Sequence, residues 1–183
     1  MISRMRVPLG FVAAAIFVVF AHISSWQRTS VCLLVAFLGL LLRGWAAGYL
    51  EKGKKLAQDG PYAIWRHPLY AGSFFLALGF CVAGTGSAHM IPGAILWVLF
   101  LLLFVWIYPL RIKDEEQKLE THFGDAWREF TSKNHRYFPR IPQKRRDDAD
   151  GFLWARYIKN KEYKACMGFL LGIVVLVVKG LYF

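Results

Sequence analysis

The sequence predicts an all-α integral membrane protein of about five transmembrane helices with a cytoplasmic C-terminal connector segment. Hydrophobic residues make up 56 % of the chain and its mean hydropathy is +0.36, above the range of ordinary soluble domains. Apolar runs recur near the ~20-residue length that a ~30 Å hydrocarbon core demands of a helix. Lys and Arg, which give a formal charge of +11, gather between those runs rather than on an amphipathic surface. That is the positive-inside pattern, and it accounts for the basic excess without nucleic acid as a partner.

The runs fall at 7–25, 31–50, 69–84, 90–110 and 165–183, and 1–183 reads as one membrane domain. Arg4 and Arg6 precede the first. A cleaved signal peptide is the competing reading there, but the small residues at 13–15 lie inside the apolar run and further spans follow, so an uncleaved first span is expected. His22 falls near its end. The second run carries Arg43 in LLLRGWAAGYL, about two turns from the terminus, where an arginine either snorkels to the interface or turns inward to hold the adjacent loops. The third is short and opens at Pro68, a first helical position where a missing N–H does no harm, with His67 at the cap.

The fourth run continues into YPLRIKDEEQKLETHFGDAWREF (108–130), helix-forming throughout, with no proline between Pro109 and Pro139. One helix is therefore expected to leave the bilayer, kinked at Pro109. RYFPRIPQ (136–143) must be extended or turning. Residues 151–163 read as an interfacial helix with Trp154 and Tyr157 at headgroup level, leading to the fifth run. With five spans, the basic segments 1–6, 51–66 and 111–164 share the cytoplasmic side. The opposite loops, around 27–29 and 84–89, carry a single basic residue. Cys32, Cys81 and Cys166 lie in apolar runs without CxxC or Cys/His spacing; they read as small buried hydrophobes, and no metal site is expected.

Two polar clusters stand at this cytoplasmic border. GPYAIWRHPLY (60–70) places Arg66, His67 and the positive end of the third span beside Tyr62, Trp65 and Tyr70, an arrangement suited to an anionic group or to an ordinary aromatic anchoring belt. Beyond the fourth span, Arg111, Glu115, Lys118, Leu119 and His122 recur at helical spacing, with Arg111 and Glu115 one turn apart. Asp114, Glu115 and Glu116 form an acidic triplet, which alone is as well explained by a solvated helix face. Together the clusters offer carboxylates, guanidinium groups, an imidazole and aromatic faces around one interfacial cavity.

These residues, in this order, resemble the integral-membrane methyltransferases that include isoprenylcysteine carboxyl methyltransferase and bacterial phospholipid methyltransferase-like proteins. The resemblance rests on GPYAIWRHPLYAG (60–72), RIKDEEQKLETHFGDAWREF (111–130) and RYFPRIP (136–142), roughly half the chain. LRGWAAGYLEKGKKL (41–55) and RYIKNKEYKACMG (156–168) are similar to the bacterial members. The resemblance implies S-adenosylmethionine bound by Leu56, Ala57, Tyr62, His67, Pro68, Leu69, Tyr70 and Glu115. It further implies catalytic positions at Arg111, on the substrate side, Arg66 and Glu116, with a lipid or isoprenoid-type amphiphile as methyl acceptor. It also implies a multi-pass protein of the prokaryotic inner membrane, with the bilayer and the acceptor as its partners. Sterol reductases share the fold and a similar RHP-x-Y element, so an NADPH-dependent reductase is the alternative, and a non-catalytic scaffold of the same fold is a third reading.

Overall fold

The computed structural model describes residues 6–86, 90–140 and 151–182. Every regular element among them is helical: α1 (Arg6–Phe20), α2 (Trp26–Tyr49), α3 (Pro61–Ile64), α4 (Pro68–Ala83), α5 (Met90–Leu101), a π-helical turn (Leu102–Ile107), α6 (Tyr108–Phe123), α7 (Asp125–Lys133), α8 (Trp154–Lys159) and α9 (Tyr163–Tyr182). Three helices are long and apolar enough to cross a bilayer: α2, the continuous 34-residue helix Met90–Phe123, and α9; α4 is apolar and shorter. The protein is thus a helical, multi-pass membrane protein.

The helix ends follow from local chemistry. Ser25 caps α2, its side chain accepting the Arg28 N–H at 3.3 Å, so Gln27–Arg28–Thr29, expected as a loop, forms the first turn of α2 instead. His22, expected within the first span, lies past the end of α1, where its N–H donates to Gly84 O at 2.8 Å and its Nδ1 is 3.0 Å from Phe20 O. Arg28 also donates to Thr85 O at 3.0 Å, closing α2 onto the end of α4 at the face opposite the polar clusters. Pro68 opens α4 with His67 at its cap, as the sequence predicts.

Packing centres on a seam between α2 and α4. A Cβ built on Gly39 would lie 2.5 Å from Leu76 N and 2.6 Å from Gly72 O, so the two backbones touch where neither carries a side chain, the small-residue contact that membrane helices use. One apolar cluster joins Ala36 and Leu40 of α2 to Phe169 of α9. Another gathers Ala21, Cys81, Leu96, Phe100 and Leu176. All three cysteines are free.

The helix that carries the fourth run onward departs from expectation at its C-terminal end. Pro109 cannot donate the N–H that would close the preceding helical turn, and the π turn Leu102–Ile107 lies directly upstream, absorbing the lost hydrogen bond within a continuous helix. Beyond it, the helix expected to run through 108–130 stops at Gly124, which adopts φ +53° and turns the chain into α7; helical propensity on both sides concealed a break that one glycine supplies. The interfacial helix expected over 151–163 is confined to Trp154–Lys159, because Lys161 takes φ +56° and reverses the chain before α9. Residues 136–140 are irregular, as their prolines dictate, whereas 141–143 of the same motif lie outside the described residues.

Candidate active site

The polar clusters meet where α4 begins and α6 leaves the apolar zone. At about 1.5 Å per residue, the 34 residues of Met90–Phe123 extend some 50 Å, well beyond a ~30 Å core. Its apolar part ends near Leu110, so the α6 side chains from Arg111 onward stand clear of the hydrocarbon.

Glu116 is the node of the first group. It is 8 % exposed, and its Oε1 accepts from Arg66 Nη1 at 3.0 Å and lies 3.1 Å from His67 Nε2. Its Oε2 accepts from Arg136 Nη2. Burial alone would raise its carboxyl, but the hydrogen bonds from His67, Arg136 and Arg66 outweigh burial and hold it down at about 2. Arg66 reaches further: its Nη2 donates to Thr131 O at 2.8 Å and its Nε to Asn134 O at 3.1 Å. A guanidinium thereby satisfies the last carbonyls of α7. Trp127 of α7, buried, lies with its ring 6.5 Å from that of His67. The connector is tied in again where Arg140 N–H donates to Ile64 O at 2.8 Å.

Glu115 belongs to a different face of α6. Tyr70 Oη donates to its Oε2 at 2.8 Å, and the Tyr70 ring meets Tyr108 edge-on at 5.3 Å. Tyr108 stands at the top of a stack, 4.4 Å from Phe104, which is 4.8 Å from Phe100, so aromatic faces run from the apolar interior up to the Tyr70–Glu115 pair. Arg111, one turn before Glu115, is half-buried and makes no hydrogen bond or ion pair among the described residues.

Tyr62 is buried in α3, and its hydroxyl has no hydrogen-bond partner among the described residues. Burial, with the nearby Glu115 and Glu162 carboxylates, pushes that hydroxyl's pKa upward, while Arg43 works in the opposite sense. Gly60, at φ +57°, turns the chain into this helix.

The structure therefore brings together Tyr70 with Glu115, and Arg66 and His67 with Glu116, and sets Arg111 on the Glu115 face. Pro68 is buried, and the Leu69 carbonyl accepts from Ser73 Oγ at 2.8 Å. Leu56 and Ala57 sit half-buried in the connection to α3, and no described contact carries them to Tyr70 or Glu115. The N-terminus of α4 is narrower as an anion site than expected. Pro68 has no N–H, and those of Tyr70 and Ala71 both bond to His67 O at 3.1 Å. Arg136, Tyr108, Trp127 and Glu162 were not singled out from sequence. Each lies within a quoted motif, Tyr108 and Trp127 in 108–130, Arg136 in RYFPRIP and Glu162 in RYIKNKEYKACMG, but no pattern in the sequence assigns their partners.

The fold and this polar mouth define a class: a multi-pass helical membrane protein whose ionisable residues converge where two helices meet the interface. A family model described as the isoprenylcysteine carboxyl methyltransferase (ICMT) family matches residues 14–121. The chain belongs to that family. It is 32 % identical over 145 residues to the cobalt-zinc-cadmium resistance protein CzcN of Cupriavidus metallidurans, covering 74 % of this chain and 62 % of that protein. To the nickel-cobalt-cadmium resistance protein NccN of Alcaligenes xylosoxydans xylosoxydans it is 29 % identical over 127 residues, 64 % of this chain and 56 % of that one. To the protein-S-isoprenylcysteine O-methyltransferase of Schizosaccharomyces pombe it is 35 % identical over 93 residues, 50 % of this chain and 36 % of that one. The chain thus spans about six-tenths or less of these curated relatives. No solved structure matches.

Proposed function

We propose that the protein is an S-adenosylmethionine-dependent methyltransferase acting on a lipid or isoprenoid-type amphiphile at the cytoplasmic face of a prokaryotic inner membrane, with five spans. Family membership supports the reaction class, and the bacterial relatives support the membrane. The observation that carries the reading is the Arg111–Glu115 face of α6. An arginine without an ionic partner among the described residues stands one turn from a tyrosine-bonded carboxylate, at the upper end of an aromatic stack.

The residues fit the cofactor's chemistry. The unpartnered buried Tyr62 hydroxyl leaves a donor and acceptor that a polar ligand would satisfy. Glu115, accepting from Tyr70 through Oε2, keeps Oε1 for an ammonium or a ribose hydroxyl. When bound, S-adenosylmethionine supplies a sulfonium methyl group open to in-line displacement. Holding the acceptor against that carbon is then the main task of the protein, and no covalent enzyme intermediate is needed.

Arg111 is suited to orient a carboxylate acceptor in bidentate fashion. An amine acceptor would need a base. His67 Nε2 and both Glu116 oxygens are engaged with each other or with arginines, which favours an acceptor already anionic at neutral pH. On this reading Arg66, His67 and Glu116 position α7 and the connector, and Arg111 and Glu115 contact the ligands.

The decisive experiment is transfer of labelled methyl groups from S-adenosylmethionine into a lipid extract by the purified protein. Label in an acidic amphiphile, lost in Arg111→Ala, is the expected outcome. NADPH binding without any response to S-adenosylmethionine would overturn the proposal in favour of a reductase, and absence of label across lipid and prenyl-thiol acceptors would favour a scaffold.

A further inference from the structure

Arg43 lies in an apolar helix and turns inward. Its Nε donates to Glu162 Oε1 at 2.5 Å, and the two side chains are 16 % and 8 % exposed. The same guanidinium continues to α4, where Nη1 donates to Ser73 Oγ and lies 3.4 Å from Leu69 O. Ser73 Oγ itself donates to Leu69 O. One fork thus joins α2, the start of α9 and the first turn of α4.

Glu162 is delivered there by a tightly stapled segment. Leu153 N–H donates to Gly48 O at 3.0 Å, Arg156 pairs with Glu51 at 3.0 Å, and Asn160 Nδ2 donates to Ala47 O and Leu50 O, the carbonyls that end α2. The left-handed turn at Lys161 then aims Glu162 inward. Anchoring the segment to α2 is already accomplished by those contacts. The ion pair adds something they do not: a connection to α4. A buried ion pair is weak evidence for stability as such, because apolar residues of similar volume often serve as well. Its geometry here is better explained by what it holds.

What it holds is the turn that carries Tyr70. Leu69, whose carbonyl faces the Arg43 fork, precedes the tyrosine that donates to Glu115. We propose that Arg43 and Glu162 are positioning residues of the candidate site, clamping the first turn of α4 so that the Tyr70 hydroxyl meets Glu115. The buried Tyr62 hydroxyl lies within electrostatic reach of both parts, Glu115 on one side and the Arg43–Glu162 pair on the other. The geometric claim stands on these contacts; its consequence for cofactor binding rests on the function proposed above.

The test uses the full chain in detergent with Tyr70 labelled as its ring-fluorinated analogue. Glu115→Ala, which removes the acceptor, marks the fluorine resonance of a broken Tyr70–Glu115 bond. Glu162→Gln is expected to move the wild-type resonance most of the way to that mark, and Ser73→Ala to move it in the same direction. Glu51→Gln, which loosens the same segment without touching α4, is expected to leave it in place. A Glu162→Gln resonance at the wild-type position overturns the proposal, as does an equal displacement by Glu51→Gln. Should Glu162→Gln fail to fold, Ser73→Ala decides by the same criterion. Titrating these samples with S-adenosylmethionine should show about fivefold weaker binding in Glu162→Gln, the equivalent of one lost hydrogen bond. If wild type shows no response to S-adenosylmethionine while the resonance displacements persist, the clamp stands and the methyltransferase reading falls.

Discussion

Adjacent carboxylates on α6 do different work. Glu116 is enclosed by Arg66, His67 and Arg136, and its pKa lies at about 2 against an ordinary 4.5. That difference corresponds to roughly 3 kcal/mol of stability. Because the folded value is the lower one, the contribution is complete above about 4.5 and drains away as pH falls toward 2. Glu116→Gln is therefore expected to lower the melting temperature at neutral pH, and the gap from wild type should narrow in melting curves taken below pH ~4.5. Glu115 holds a single described hydrogen bond, from Tyr70. Tyr70→Phe should weaken S-adenosylmethionine binding about fivefold by calorimetry while leaving the fold intact. The sequence displayed His67 and the Glu115–Glu116 pair because they sit in compact motifs. It could not display Arg136 as the partner of Glu116, since twenty residues and a chain reversal separate them.

That reversal belongs to the scale of elements. Gly124 ends α6 and lets α7 fold back, so that Trp127 approaches His67 and the last α7 carbonyls reach Arg66. Gly124→Ala, forced into a left-handed backbone, should cost about 1 kcal/mol, read as a lower melting temperature. At the α2–α4 seam the approach is between backbones, and Gly39→Val has no flexible side chain to displace. A loss of roughly 1–3 kcal/mol, or failure to yield a monodisperse protein by gel filtration, is expected. Existence and order of the apolar helices were legible because each run is predominantly hydrophobic, even the short third run and the second with its internal Arg43. Gly39 and Gly72 were not readable as contacts, since small residues look alike on lipid-facing and helix-facing surfaces. The π turn was visible only as a proline.

At the scale of the whole molecule, α2, α4, the long helix Met90–Phe123 and α9 bring residues 43–73, 108–140 and 152–164 to one end, and the turns at 20–26 and 84–86 to the other. In a cysteine-free background, Lys54→Cys and Lys159→Cys should react with an impermeant maleimide from the cytoplasmic side of sealed membrane vesicles, and Met90→Cys should not. The opposite labelling pattern would invert the topology that the basic segments imply. The charge distribution along the chain made the gathering of these segments at one end legible; the labelling tests which side of the membrane that end faces. The wrapping of residues 152–162 around the end of α2 was not, because it depends on single side-chain caps such as Asn160. The unbroken helix from Met90 to Phe123 has one more consequence. Its lower part is long and apolar enough to cross a bilayer and its upper part carries Arg111 and Glu115, so under the proposed function it acts as a ruler linking lipid length to the height of those two side chains. A thinner or thicker bilayer must be met by tilt of that helix. Turnover in vesicles of graded acyl length should accordingly peak at one thickness, making membrane composition a control on the chemistry.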